Sequence, residues 1–176
     1  MCHSLSYETI DKVDELSIVD LISDKQLDLN SSLHKNNSNF GNRPSGSGLA
    51  AKLPFGLIRM NELGICNSVL DYGTGKGLLV DNLKSDLPKS INVSGYDPAV
   101  DKWSNKPKST FDILTCLDVL EHVELNKVQA VLHDINELTK YFCFITIDLQ
   151  PAVKTLKDGR NAHIMLAPHD WWLTRI

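Results

Sequence analysis

The sequence predicts an α/β fold, built as a mostly parallel sheet with helices on both faces. Four short apolar runs that are typical of buried strands alternate with segments that have helical periodicity, and a glycine-rich turn follows the first run. Strands that alternate with helices form β-α-β crossovers, which cover both faces of a parallel sheet. A length of 176 residues corresponds to one domain.

The first 50 residues differ in composition from the rest of the chain. Residues 1–29 are predicted to form an acidic helical segment, because apolar residues such as Ile10, Val13 and Leu16 recur at approximately helical spacing. Residues 30–50 are rich in Asn, Ser and Gly, which favour turns and predict a flexible loop. That loop carries Phe40 and could either close over a ligand or act as a plain linker. Residues 51–176 then form the predicted main domain.

The main domain begins with a helix that we predict to start at Pro54 and to end at Gly64, since Pro favours the first helical position and Gly the C′ position. The other predicted elements follow in chain order: strand 68–72, helix 78–87, strand 91–96, strand 111–117, a helix with its apolar stripe over 125–138, and strand 141–149.

The predicted sheet is abbreviated at two places. Only 13 residues separate Asp97 from Phe111, so the usual third-strand region is short. The 27 residues after Leu149 leave no room for two further strands. We therefore expect a C-terminally abbreviated domain whose free sheet edge could pair with a second copy as a homodimer.

Composition narrows the partners and the compartment. The formal charge of −4 argues against the broad basic surface of a nucleic-acid-binding protein, although a local basic groove stays open. No run approaches about 20 apolar residues and no signal peptide is evident, which predicts no membrane contact and a cytoplasmic location. The four cysteines lack C-x-x-C spacing, so we expect buried free thiols.

The glycine-rich turn is the first candidate binding element. Gly73-x-Gly75-x-Gly77 joins an apolar strand to a helix, and glycines there let a ligand approach the backbone at the helix N-terminus. The spacing differs from the dinucleotide fingerprint, and the residue after Lys76 excludes a P-loop. Asp71 precedes the turn, where its carboxylate would repel a pyrophosphate and attract a sulfonium or ammonium group.

Asp97 is the second candidate. It follows the second predicted strand, 20 residues beyond Gly77, where an acidic side chain can accept hydrogen bonds from both hydroxyls of a ribose. The two elements together predict a nucleoside that carries a cationic tail.

Three segments carry a resemblance to a known family: VLDYGTGKGLL, VSGYDP and FDILTCLDVLEHVE. With them, the chain resembles the class I S-adenosylmethionine-dependent methyltransferases of the type 11 and 23 groups. The resemblance implies a Rossmann-like fold and S-adenosylmethionine as cofactor, with the glycine turn on the methionine part, Asp97 on the ribose and the end of the third strand beside the sulfonium. The implied cofactor-binding residues are Asp71, Tyr72, Gly73, Thr74, Gly75, Gly77, Asp97, Pro98, Cys116, Leu117 and Asp118.

A metal site is a further hypothesis. In a helical turn, Asp118, Glu121 and His122 would face one side. The segment is similar to the E-x-x-E-H segment of ubiquinone-pathway O-methyltransferases and small-RNA 2′-O-methyltransferases, which implies a divalent metal with His163 as fourth ligand. Mn²⁺, Fe²⁺ or Zn²⁺ would suit such a set. L-E-H-V also occurs in related methyltransferases with no metal, so the metal stays open.

The predicted function is transfer of a methyl group from S-adenosylmethionine to a small-molecule acceptor, most plausibly at oxygen, with His122 or His163 as the base. Two alternatives remain. One is a metal-dependent RNA-end 2′-O-methyltransferase, and the other is a non-catalytic S-adenosylmethionine-binding or partner module.

Overall fold

A single parallel sheet organises the molecule. The computed structural model describes residues 18–42 and 48–176. The strands are β1 (Ser68–Tyr72), β2 (Asn92–Tyr96), β3 (Phe111–Leu117) and β4 (Thr139–Thr146). Their order across the sheet is β2-β1-β3-β4, and each neighbouring pair is parallel. The predicted parallel α/β architecture is confirmed.

The described helices are α1 (Ile18–Leu21), α2 (Asp24–Asn36), α3 (Gly48–Glu62), α4 (Leu78–Asp86), α5 (Val128–Leu138) and α6 (His169–Leu173). Two 3₁₀ turns, Asp101–Trp103 and Leu120–His122, lie between them.

Two hydrophobic clusters cover the two faces of the sheet. Successive side chains of a strand point to opposite faces, so Leu70 packs in the α5 cluster while Val69 packs in the cluster with α3 and α4. All seven residues of β3 are buried, as expected for a central parallel strand. The sheet thus presents its carboxyl end, and not a face, to ligands.

The strand bounds follow the sequence prediction closely in the centre and less well at the edge. β1 and β3 coincide with the predicted ranges, whereas β4 begins two residues earlier and ends three residues earlier than predicted. The Thr139 hydroxyl donates to the Ile135 carbonyl, so α5 ends and β4 begins without an intervening loop.

The abbreviation of the fold is confirmed for the described residues. Only a 3₁₀ turn separates β2 from β3, and β4 forms the edge of the sheet. Beyond β4, the bridge between Thr155 and Asn161 is isolated and antiparallel.

The prediction of a flexible loop over 30–50 is wrong for its first residues, because α2 continues to Asn36. Ser23 caps this helix by accepting a hydrogen bond from the Gln26 backbone N–H, and Glu124 holds Ser23 in turn. The Ser31 hydroxyl donates to the Ala99 carbonyl, which ties the middle of the helix to the loop after β2. The predicted acidic helix lies mostly outside the described residues.

The predicted start of the next helix is also wrong. α3 begins at Gly48, so Pro54 lies inside the helix. Ala50, Leu53 and Leu57 are buried on the sheet, and this apolar packing offsets the backbone hydrogen bond that Pro54 cannot donate. The predicted end is confirmed, because Gly64 has a φ of 73° and donates to the Asn61 carbonyl.

The cysteines of the described chain are free thiols: Cys66 and Cys116 are buried and Cys143 is partly buried, while Cys2 lies outside that part of the chain. Among the described helices, none has the length and apolar character required to cross a bilayer.

Candidate active site

One cavity of about 560 Å³ lies at the carboxyl ends of β1, β2 and β3. Its volume is within the range of small-molecule sites. The cavity has two parts. The cofactor half contains the glycine turn and Asp97, and the histidine half contains His122 and His163.

The glycine turn of the cofactor half needs glycine at two close approaches. Gly73 has a φ of 74°, and a Cβ there would lie 2.4 Å from the Val119 side chain. Gly75 has a φ of 57°, and a Cβ there would lie 2.5 Å from the Gly41 carbonyl oxygen. The backbone N–H groups of Gly73 and Thr74 both donate to the Tyr96 carbonyl, which fastens the turn to the end of β2.

Asp97 lies directly beside this turn, as the sequence predicted. Its Oδ2 accepts a hydrogen bond of 2.9 Å from the Gly75 N–H, and its Oδ1 accepts one of 2.9 Å from the Ala99 N–H. The residue is only 7% exposed, and burial raises the pKa of its carboxyl. His34 of α2 lies 4.0 Å from the same carboxylate, and burial lowers the pKa of that imidazole.

The other predicted cofactor residues divide into two groups. Those that line the cavity are Asp71, Tyr72, Gly73, Thr74, Gly75, Asp97, Pro98, Leu117 and Asp118. Gly77 and Cys116 lie outside its wall: Gly77 caps α4 beneath Trp103, and the Cys116 side chain is buried in the α5 cluster. The Tyr72 hydroxyl also points away from the cavity and donates to Asp134.

Asp71 is buried at the cavity wall, where its Oδ1 accepts a hydrogen bond of 2.8 Å from the Thr115 hydroxyl. The carboxylate is therefore held by the two central strands at the end of the sheet.

The predicted helical trio of Asp118, Glu121 and His122 does not form. Asp118 has a φ of 53°, and its backbone N–H donates to the Thr146 carbonyl. The chain therefore turns at Asp118 before the 3₁₀ turn begins, and the Asp118 side chain accepts from the Thr146 hydroxyl. Asp118 is exposed and does not belong to the cluster formed by Glu121, His122 and His163.

The histidine half brings together side chains that are 41 residues apart in sequence. His122 Nδ1 lies 2.8 Å from the Ala162 carbonyl oxygen, and His163 Nδ1 lies 2.6 Å from the Gln150 carbonyl oxygen. The two ring centroids are 4.8 Å apart. Burial lowers the pKa of His122 to about 4 and raises that of Glu121 to about 7.

A cover segment, residues 37–42, forms part of the cavity wall through Asn39, Phe40, Gly41 and Asn42. The Lys76 ammonium donates to the carbonyls of Asn37 and Ser38, and the Gly41 carbonyl accepts from the Lys76 N–H. The Phe40 ring lies 4.6 Å from the His34 ring and 5.4 Å from the His122 ring. The sequence left open a loop that closes over a ligand, but no pattern in it predicted that His34 lies beside Asp97.

The match to a protein-family model identifies the family of the chain. Residues 17–175 match the Methyltransferase domain family Methyltransf_23. The chain belongs to the class I S-adenosylmethionine-dependent methyltransferases. The predicted family is thereby confirmed over nearly the whole chain.

Among solved structures, this chain is similar to coclaurine N-methyltransferase bound to N-methylheliamine and S-adenosylhomocysteine. The identity is 14%, the TM-score is 0.48, and the match covers 88% of this chain. The chain spans about half of that protein, since 55% of the latter is covered. No curated protein matches this chain.

The cofactor of this family, S-adenosylmethionine, fits the residues of the cofactor half. A buried carboxylate beside a glycine turn suits a ribose diol, and the close approach at Gly73 and Gly75 leaves backbone without side chains at the cavity wall.

Proposed function

We propose that this protein transfers a methyl group from S-adenosylmethionine to an oxygen atom of a small-molecule acceptor. The observation that carries the proposal is the position of Asp97. Its carboxylate contacts the glycine turn, and both lie in the same cavity as His122 and His163. A nucleoside bound by Asp97 would extend along the turn towards the histidines.

In this proposal the cofactor half binds and orients. Asp97 accepts the ribose hydroxyls, the backbone of Gly73 to Gly75 lies along the methionine part, and Asp71 places negative charge near the sulfonium. When bound, S-adenosylmethionine supplies a methyl group on a positively charged sulfur. The protein contributes alignment and exclusion of water, which provide most of the acceleration in such a displacement.

The histidine half would take the acceptor's proton. A carbonyl oxygen can only accept, so the Nδ1 of His122 and of His163 each carries the hydrogen in its contact. Each Nε2 is then an acceptor. As an acceptor oxygen forms its bond to the methyl carbon, the C–S bond breaks, the sulfur keeps the electron pair, and the hydroxyl proton moves to an Nε2.

A small acceptor is favoured over RNA by the contacts of the basic loop after β4. Lys154 donates to the Asn37 side chain, and Arg160 contacts both Asp158 and Gln26. These cations hold the N-terminal helical region in place. Two side chains that could otherwise neutralise phosphates are thus engaged within the protein.

Calorimetric titration with S-adenosylmethionine and S-adenosylhomocysteine tests the cofactor assignment. We expect Asp97→Asn to weaken binding by about 10- to 150-fold, because charge-assisted hydrogen bonds of about 1.5 to 3 kcal/mol are lost. Asp101→Asn is the matched control, since the Asp101 side chain is 93% exposed four residues away. Equal affinities of the two variants would refute the role of Asp97.

A product assay over paired hydroxyl and amine acceptors tests the reaction. We expect methylated oxygen products from acceptors that fit the part of the cavity of about 560 Å³ that the cofactor leaves free. Products formed only at nitrogen would refute oxygen as the acceptor atom. Cofactor binding without turnover on any acceptor would instead support the non-catalytic module.

A further inference from the structure

The cluster of Glu121, His122 and His163 has the donor set of a metal site. One donor atom from each residue lies within 4.8 Å of the others. An ion at the centre of such a triangle would be about 2.8 Å or less from each donor, and small side-chain rotations would reach the usual distances of about 2.0–2.2 Å.

Both histidines are oriented as metal ligands are. Metal-bound imidazoles usually donate their second ring N–H to a carboxylate or backbone carbonyl, which fixes the tautomer. His122 does so to Ala162 and His163 does so to Gln150. The remaining nitrogen of each ring therefore presents its lone pair.

Glu121 supplies the independent observation. Its side chain is 0% exposed, and Oε1 accepts a hydrogen bond of 3.1 Å from the Asp148 N–H. Oε2 is buried and has no hydrogen-bond partner among the described residues. A buried carboxylate oxygen without a partner is costly, and a cation would supply the missing interaction.

We propose that Glu121, His122 and His163 bind one divalent transition-metal ion. Two imidazoles and one carboxylate are suited to Zn²⁺, Fe²⁺ or Mn²⁺, whereas Ca²⁺ and Mg²⁺ prefer oxygen ligands. Asp118, which the sequence predicted as a ligand of the same ion, is not part of the set, because the turn at φ 53° directs it to Thr146.

The ion would have an open side. His122 and His163 line the cavity, whereas Glu121 lies behind them and outside its wall. The three protein ligands therefore leave the coordination positions towards the cavity to water or to the acceptor. If methyl transfer to oxygen is the function, as proposed above, the two Nε2 atoms would be ligands and not bases in the metal-loaded protein. The ion would then lower the pKa of an acceptor hydroxyl held there, and the proton would pass to water.

Metal binding is tested on the full chain without a histidine tag. We expect elemental analysis and titration with Zn²⁺, Mn²⁺ and Co²⁺ to give one ion per chain, with a Co²⁺ absorption spectrum typical of nitrogen and oxygen ligands. Glu121→Gln and His163→Gln should each weaken binding of the metal ion by about tenfold to a hundredfold. His169→Gln, at an exposed histidine on α6, is the matched control and should bind as the unchanged protein does.

Absence of uptake by the unchanged protein, or equal uptake by all variants, would overturn the metal site. S-adenosylhomocysteine binding is measured on the same samples and should be retained by Glu121→Gln and His163→Gln, which also shows that they are folded. One ion per chain without methyl transfer would leave the metal site standing and refute the proposed function.

Discussion

The two halves of the cavity differ in how far their carboxylates are satisfied by the protein itself. Other buried polar atoms lack a hydrogen-bond partner among the described residues in the cofactor half too, namely Thr74 Oγ1 and His34 Nδ1. In the cofactor half, both oxygens of Asp97 accept backbone hydrogen bonds and Asp71 accepts one from Thr115. In the histidine half, Glu121 keeps a buried oxygen without a partner among the described residues, and two imidazole nitrogens point away from their carbonyl contacts.

This difference indicates two kinds of site. Carboxylates that already accept hydrogen bonds from the protein, as Asp97 and Asp71 do, are held in place before a ligand arrives, which suits a cofactor shared by a whole family. The buried carboxylate of Glu121 lacks one partner, so the proposals above assign the chemistry particular to this chain to Glu121, His122 and His163.

The largest expected effect comes from disturbing the cofactor half alone. Gly75→Ala should weaken S-adenosylhomocysteine binding by about 2 to 3 kcal/mol, or roughly 30- to 150-fold, because a Cβ at positive φ is strained and also meets the Gly41 carbonyl. Gly64→Ala is the control, with a φ of 73° and nothing within 4 Å of its Cβ. Calorimetric titration with S-adenosylhomocysteine reports on the cofactor half, and titration with Zn²⁺ reports on the histidine half, which should bind the ion unchanged. Loss of both ligands together would argue against two separable sites.

A change at the opposite end of the sheet should affect stability and spare both halves. Asp112 Oδ2 accepts from the backbone N–H groups of Asn67 and Ser68, so Asp112→Ala should lower the free energy of unfolding by about 1.5 to 2.5 kcal/mol. Asp86→Ala, at an exposed carboxylate, is the control for urea unfolding.

The pH dependence of unfolding gives a second measure of Asp112. Its hydrogen bonds and Lys140 hold its pKa below the usual value. The stabilisation is therefore complete above about pH 4, the ordinary aspartate range, and is lost as the pH falls through the lower folded pKa. A stability difference between the unchanged protein and Asp112→Ala that stays constant as the pH falls below about 4 would contradict this.

Acid should weaken the cofactor half through Asp97. Burial raises the pKa of Asp97, while His34 and the N–H groups of Ala99 and Gly75 oppose the rise. A protonated Asp97 no longer accepts two ribose hydrogen bonds. The dissociation constant for S-adenosylhomocysteine should therefore increase as the pH falls, beginning above the range near pH 4 where an exposed aspartate titrates, by up to about tenfold per pH unit.

The comparison is between unchanged protein and Asp97→Asn from pH 7.5 to 4.5, with folding checked by circular dichroism. The variant should show a flat profile over this range. If the dissociation constant of the unchanged protein also stayed constant over this range, protonation of Asp97 would have no influence on cofactor binding.

The smallest expected effect concerns the residue that touches both halves. Phe40→Ala removes the ring between His34 and His122 and should weaken cofactor binding by about 0.5 to 1.5 kcal/mol, or roughly 2- to 13-fold. Phe55→Ala, whose side chain is 81% exposed on α3, is the control. Tighter binding in Phe40→Ala would mean that the ring occupies cofactor space.

The sheet was predictable because its signal is local. Short, mainly apolar runs over 68–72 and 111–117 predicted the bounds of β1 and β3, and the glycine turn and Asp97 met at the end of the sheet as parallel topology requires. The family then followed from residues that sit at fixed positions of that topology.

The misses were caused by contacts between distant segments. The second half of α2 has a loop-like composition, but Ser31 holds it on Ala99, and Gln26 in the first turn holds the helix on Arg160. The signal that could have found it is the Ser23-x-x-Gln26 pattern at its start. Asp118 itself has a left-handed φ of 53°, and helical spacing in the sequence does not predict such a turn.

The bend at Asp118 makes the segment between β3 and His122 intolerant of changes in length. A residue inserted or deleted there would swing Glu121 away from its partners, even with every side chain retained. His163 arrives on a separate loop, fastened by Gln150 and Asn161. Changes in that loop would therefore alter the contacts to the acceptor, while Glu121 and His122, which follow β3 closely, keep their place.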